Sequence, residues 1–318
     1  MAVIFTTVAS IRDEAIDIRS FELLSADDAP LPEFSPGSHI DVFIGDGLIR
    51  QYSLWNSPSD RFYRIAVKKE VASRGGSKSM HEKIRVGDVL KISPPRNNFP
   101  LKKDDGPILL IAGGIGITPL LSMAHDLLES DRQFALHYFT RSVEHTAFHE
   151  RLSMSPFLGK VTFHHEGNID QVKASLHNLL KHRATDAQLY LCGPRPFMDT
   201  VESVAAASWP SQALHREYFG AAPNVISEFE KDFVVSLARS GGKYPVTSGK
   251  SIVQVLAEQG VEIPTSCEQG ICGTCLTGVL AGTPEHRDAY MSDAEKAKGD
   301  QICPCVSRAL SAELVLDL

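Results

Sequence analysis

Cysteines carry the first chemistry legible in this sequence. Cys267, Cys272 and Cys275 stand in the order Cys-x4-Cys-x2-Cys, and Cys305 follows after 29 further residues. Two irons bridged by two sulfides require four thiolates, two to complete each tetrahedron. Three ligands from one loop and a fourth from a distant one is the plant-type [2Fe–2S] spacing. Gly270 and Gly273 let the loop turn tightly enough for its N–H groups to point at the sulfides. Cys303 competes for the fourth position; we choose Cys305, which opens the string Cys305-Val-Ser-Arg-Ala. A zinc site would more commonly bring two separate Cys-x2-Cys pairs, and only one such pair is present.

Glycines mark two further sites. Ala112-Gly113-Gly114-Ile-Gly116-Ile-Thr118-Pro119 follows the apolar run Ile108–Ala112 and opens an expected helix through Leu120–Glu129. Such a loop lets the backbone approach a pyrophosphate, and the helix start supplies unpaired N–H donors. Thr118 is expected as N-cap with Pro119 at the first helical position; Pro119 replaces the third glycine of the usual dinucleotide fingerprint. Tyr190-Leu-Cys192-Gly193-Pro194 ends another strand at the same carboxyl edge, where open α/β sheets bind ligands. Cys192 there either faces the crevice or is a small buried apolar residue.

Nearer the N-terminus, alternation in Arg50-Gln-Tyr52-Ser53 sets Arg50 and Tyr52 on one strand face and Ser53 on the other. A guanidinium holds phosphate bidentately, a tyrosine ring packs on a flavin, and a serine hydroxyl bonds a ring nitrogen. Ser73-Arg74-Gly75-Gly76-Ser77 precedes a helical turn expected at Ser79–Lys83 and forms a second anion nest. His164-His165 is a tempting pair, but adjacent strand residues face opposite ways, so a solvent role is expected.

These residues need three scaffolds. The first hundred residues alternate in short strands (Ser38–Gly45, Arg50–Trp55, Phe62–Lys68) divided by prolines and an Asp46-Gly47 turn, as in a small antiparallel barrel. Strand–helix alternation from Pro107 indicates a doubly wound α/β domain. A polar stretch at Ala221–Glu230 reads as a linker. Beyond it, Phe233–Leu237 and Lys243–Val246 form a hairpin across Ser240-Gly-Gly, and a helix at Ile252–Gln259 precedes the cysteine loop. The expected boundaries are 1–103, 104–222 and 230–318. A length of 318 residues suits two or three such cores. The net charge of −7 argues against nucleic acid as a partner. No apolar run spans a membrane, and the N-terminus lacks the features of a signal peptide. Five of six cysteines lie in or beside the metal motif, which is thiolate usage for a reducing, cytoplasmic compartment.

Taken in this order, Arg50-x-Tyr52-Ser53, the Gly113–Pro119 loop, Cys192-Gly-Pro and the cluster cysteines resemble the phthalate dioxygenase reductase family over essentially the whole chain. That family includes the reductases of vanillate O-demethylases and of carnitine monooxygenase. The resemblance implies an N-terminal antiparallel β-barrel of ferredoxin-reductase type binding FMN, a central α/β domain binding NADH, and a C-terminal β-grasp ferredoxin domain. It also implies electron delivery to a Rieske non-haem iron oxygenase by a monomer. It gives Arg50, Arg74, Gly75, Gly76 and Ser77 to the FMN phosphate, and Tyr52 and Ser53 to the ring. Cys192, with Gly193 and Pro194, falls to the nicotinamide, and Phe219 in Glu217-Tyr-Phe219-Gly to the flavin face, although Tyr218 is adjacent.

The three parts make one machine. Nicotinamide releases two electrons together as hydride and a [2Fe–2S] cluster accepts one, so a flavin must lie between them. Ser53, Cys192 and Phe219 are the residues expected at the hydride step. The rival readings are an FAD-type reductase of another monooxygenase and a flavin/iron–sulfur redox sensor. NADH rather than NADPH rests on the resemblance alone, since Thr140-Arg141-Ser142 offers no acid for a ribose diol.

Overall fold

A computed structural model describes residues 3–45, 48–71, 75–103, 106–219 and 231–318. The Asp46-Gly47 turn, Ser73 and Arg74 of the anion loop, and the stretch 221–230 lie outside these residues. The chain divides into two compact units, Met1–Glu217 and Tyr218–Leu318.

The first unit begins with the long hairpin β1 (Ile4–Ala15) and β2 (Ile18–Ser25). It continues through β3 (His39–Phe43), β4 (Ile49–Ser53), β5 (Tyr63–Lys68), the helix α1 (Gly76–Glu82) and β6 (Val89–Ile92). The sheet order is β4-β3-β6-β1-β2-β5, antiparallel throughout. A bridge between Leu54 and Ile65 joins its outer strands, so the sheet curls into a barrel. Val8, Phe21, Ile40, Val42, Ile65 and Ile92 fill the interior at full burial. Helix α1 starts three residues earlier than expected, with Gly75 at φ +96° as its left-handed N-cap.

The same unit continues with β7 (Ile108–Gly113), α2 (Ile117–Glu129), β8 (Phe134–Thr140), α3 (His149–Leu152), β9 (Val161–His165), α4 (Ile169–Leu180), β10 (Gln188–Cys192), α5 (Arg195–Ala205) and β11 (Leu214–Glu217). The strands are parallel in the order β11-β10-β7-β8-β9. The chain therefore starts in the middle, runs to one edge, and returns to build the other. The direction of winding reverses between β7 and β10, which opens a crevice at their carboxyl ends. Ile18, Trp55 and Phe99 of the barrel share one apolar cluster with Leu110, Leu120, Met123 and Tyr190. Burial of each large side chain of this kind is worth about 1.5–3 kcal/mol, so barrel and parallel sheet stabilise each other.

The second unit contains β12 (Phe233–Leu237), β13 (Lys243–Val246), α6 (Ile252–Glu258), β14 (Thr277–Ala281), β15 (Pro284–Glu285), α7 (Asp293–Lys298), β16 (Gln301–Ile302), β17 (Arg308–Ala309) and β18 (Glu313–Leu316). Strands β12 and β13 form the expected antiparallel hairpin, and β18 lies parallel to β12 at the centre of the order β13-β12-β18-β14-β16. Helix α6 opens with a Ser251/Gln254 capping box and turns Ile252, Val255 and Leu256 into the core. A helix laid across a mixed sheet in this way is the β-grasp arrangement.

Candidate functional site

The cysteine loop runs from the end of α6 to β14 and has almost no regular structure. Gly270 and Gly273 adopt φ +67° and +69°, as the tight winding requires. Backbone N–H groups turn onto sulfur: Gln269 donates to Cys267 Sγ at 3.3 Å and Thr274 to Cys272 Sγ at 3.4 Å. The sulfurs fall into two neighbourhoods. Cys267 bonds Cys272, and Cys275 Sγ lies 3.3 Å from Cys305 Sγ. Among the described residues no three His, Cys, Asp or Glu side chains are placed to hold one metal ion. Two pairs are what two irons with two protein ligands each need.

Cys303 also reaches Cys275, and it is fully buried. The two candidates differ in what else they touch. Cys305 accepts from the Gly270 N–H inside the loop and feels the Cys267 sulfur, whereas Cys303 looks towards Asp288. The environment favours Cys305 as the fourth ligand.

In the barrel, β4 carries Arg50, Tyr52 and Ser53 opposite Val42, Ile40 and His39 of β3. A side chain on Gly76 would meet Arg50 Cγ and Nε at 2.6 Å, so the arginine lies directly on the first residue of α1. Arg50, Gly75, Gly76 and Ser77 thus gather into one cradle, and a phosphate fits there by charge and by donor geometry. Ser77 Oγ accepts from the Glu70 N–H at 3.1 Å, which ties the helix start to the end of β5. Arg74 lies outside the described residues. Burial raises the Tyr52 phenol well above its ordinary range, so its ring packs as a neutral surface.

At the crevice between β7 and β10, a side chain on Gly116 would strike the Cys192 carbonyl and Gly193 N, which explains the glycine. Helices α2 and α5 both begin at this edge, with N-caps at Gly116 and Pro194. Their free N–H groups and the open backbone of Gly114 suit a pyrophosphate. The capping expectation for Thr118 is overturned. The Gly114–Gly116 turn leads straight into a helix that starts at Ile117, and Thr118 Oγ1 instead donates to the Ile115 carbonyl at 3.0 Å. His164 is a second correction. It packs in parallel on Phe139 at 4.1 Å and bonds His137 at 2.9 Å, while only His165 is exposed.

Two residues that sequence reasoning passed over define the crevice. Phe197 lies over both glycines, since side chains on Gly113 and Gly193 would meet its ring at 2.7 and 2.9 Å. Glu217 closes β11 beside Cys192 of β10. It is half-buried, accepts a hydrogen bond from Ser53 of the barrel, and its Oε2 is shielded from solvent with no partner among the described residues. Burial pushes its carboxyl up to about 8 against the opposing effect of the Ser53 bond. Burial, and then the Glu217 charge, also push the Cys192 thiol up. Ser53, Cys192 and Glu217 therefore meet where the barrel touches the carboxyl edge of the parallel sheet. Phe219 follows two residues beyond β11 and is 37% exposed.

A [2Fe–2S] iron–sulfur cluster binding domain matches residues 235–310. The chain is 48% identical over 313 residues to a vanillate O-demethylase oxidoreductase of a Pseudomonas strain, covering 98% of each. It is 44% identical to a phthalate dioxygenase reductase of Burkholderia cepacia, covering 98% of this chain and 96% of that one. The solved phthalate dioxygenase reductase, described as a modular structure for electron transfer from pyridine nucleotides to [2Fe–2S], superposes with a TM-score of 0.78 at 41% identity, covering 100% and 98%. With fold, chain order and nearly full-length identity in agreement, the chain belongs to the phthalate dioxygenase reductase family.

Proposed function

We propose that this oxidoreductase serves a Rieske-type non-haem iron oxygenase, and that the residues gathered above hold its cofactors. The chain is the reductase component of an oxygenase system and passes electrons from NADH through a flavin to [2Fe–2S]. FMN supplies the conversion between a two-electron donor and a one-electron acceptor.

This chain's own residues do the positioning. Arg50, Gly75, Gly76 and Ser77 hold the FMN phosphate, with Arg74 completing the loop in sequence. Tyr52 packs against the flavin, and Ser53 presents its hydroxyl to the ring edge. Gly113, Gly114, Gly116, Gly193 and Pro194 shape the crevice for the pyrophosphate, and Thr118 braces its floor through Ile115. Cys192 lines the nicotinamide end. Glu217 holds a proton there and accepts the hydrogen bond of the Ser53 hydroxyl, which fixes the serine rotamer. Phe219 covers the flavin face, and Cys267, Cys272, Cys275 and Cys305 carry the cluster. One observation supports the hydride site above the rest: the Ser53–Glu217 bond joins the expected flavin strand to the expected nicotinamide crevice.

The partner reading has a direct test. Under anaerobic conditions, catalytic amounts of the protein with excess NADH should bleach the Rieske centre of a cognate oxygenase. Reduction of a haem oxygenase with the Rieske protein left oxidised would overturn it. No helix among the described residues is long and apolar enough to cross a membrane. A cytoplasmic monomer is the state we propose, and sedimentation near the chain mass of 34.8 kDa checks it.

A further inference from the structure

Cys303 is a fifth cysteine at a site whose two irons need four. Strand pairing puts it there. Thr277 of β14 faces Ile302 of β16 in an antiparallel pair, so the chain entering β14 from Cys275 runs beside the chain leaving β16 at Cys303. Backbone bonds hold the turn beyond. The Cys303 carbonyl accepts from the Val306 and Ser307 N–H groups at 3.2 and 3.0 Å, and the Pro304 carbonyl from the Val253 N–H at 3.4 Å. Cys303 is buried in one apolar core with Leu256, Ile302 and Val306. Its thiol bonds the Cys275 sulfur, which also has Cys305 Sγ at 3.3 Å.

Backbone N–H groups reach the sulfurs of Cys267, Cys272 and Cys305. Side chains add to them. The Thr274 hydroxyl lies 3.2 Å from Cys272 Sγ, and with that sulfur a thiolate only the hydroxyl can donate. Cys303 stands in the matching place beside Cys275. With four sulfurs on iron, the fifth has no metal to bind and keeps its hydrogen, so between Cys303 and Cys275 it is Cys303 that donates. The other polar group it faces is Asp288, whose carboxylate already accepts from the Met291 N–H at 2.8 Å and the Ser307 hydroxyl at 3.4 Å. Reduction adds one negative charge to the cluster. A hydrogen bond to a ligating sulfur stabilises that charge and raises the reduction potential.

We propose that Cys303 is a positioning residue for electron transfer: its thiol hydrogen-bonds the Cys275 sulfur and raises the cluster's reduction potential, which favours passage of the electron from flavin to iron. The inference rests on Cys305 being the fourth ligand. An apolar residue of the same size would fill the space at position 303 and could not donate, so core packing and hydrogen bonding make separable demands there.

The test is a redox titration of full-length holoprotein, followed by the low-temperature paramagnetic signal of the reduced cluster. Cys303→Ala and Cys303→Val both remove the donor, and valine leaves no void. Each should assemble the cluster and lower the equilibrium constant for its one-electron reduction about fivefold, the effect of one hydrogen bond, or about 40 mV at 59 mV per decade. Cys303→Ser keeps a donor and should hold the midpoint at or above that of the parent protein. An unchanged midpoint in the alanine and valine variants overturns the hydrogen bond and leaves the ligand assignment standing. A serine variant that falls with the other two also overturns it, because packing alone would then set the potential. Loss of the cluster from the alanine and valine variants, with the flavin still reduced by NADH, would make Cys303 the ligand and overturn both readings.

Discussion

Glu217 is the residue whose behaviour depends most on the fold. An acid raised to about 8 from an ordinary 4.5 keeps its proton in the folded chain and loses it in the unfolded one across that window. The folded state then binds the extra proton, so this group's stabilising contribution is full below about pH 4.5 and is lost as pH rises towards 8. Glu217→Gln should flatten that loss, and urea midpoints measured from pH 5 to 8 would show it; an unchanged slope would mean the carboxyl is not the titrating group. Arg50→Ala should weaken FMN by about two orders of magnitude, since removing one partner of a guanidinium–phosphate pair costs on the order of 3 kcal/mol. Added FMN should restore NADH oxidation at near-normal nicotinamide affinity, and tight flavin retention in the variant would move the cradle elsewhere. Arg50, Tyr52 and Ser53 were legible because alternation along one strand sorts them by face. Glu217 was not, because its character comes from burial in the folded crevice, and its partner Ser53 lies 164 positions away with nothing local to mark the pair.

Loops and helix starts show what local pattern can and cannot say. The Cys-x4-Cys-x2-Cys loop was readable because its ligands sit within one turn of backbone. The choice between Cys303 and Cys305 depends on which sulfur the folded loop turns towards Gly270. Cys305→Ser should prevent cluster assembly and Cys303→Ser should permit it, with low-temperature paramagnetic resonance of reduced protein as the readout; the reverse pattern would exchange the ligand. Helix α2 escaped the expected start because Gly116 must pass against the Cys192 carbonyl, a contact between distant strands that makes Ile117, not Pro119, the first helical residue. Gly76→Ala sets a comparable test for α1. Its new carbon would displace the Arg50 stem, so FMN should be lost from a folded barrel, as thermal melting and flavin release would report.

At the scale of the molecule, barrel and parallel sheet could be read from texture and chain order, and the β-grasp domain from the family resemblance. The shared core of barrel and parallel sheet could not, because Trp55 and Phe99 look like ordinary barrel residues until they meet Tyr190 and Leu120. That core predicts where the chain tolerates a cut. Truncation near residue 230 removes most of the second unit and none of the residues of that core. The shortened protein should keep FMN and reduce ferricyanide with NADH, yet fail to reduce cytochrome c; insoluble or flavin-free product would mean the units fold together. Electrons should reach the cluster only through the flavin. Protein stripped of FMN and mixed anaerobically with NADH should keep an oxidised, paramagnetically silent cluster, and adding FMN should bring up the signal of the reduced cluster. A cluster reduced by NADH before any flavin is restored would show a route that bypasses the flavin.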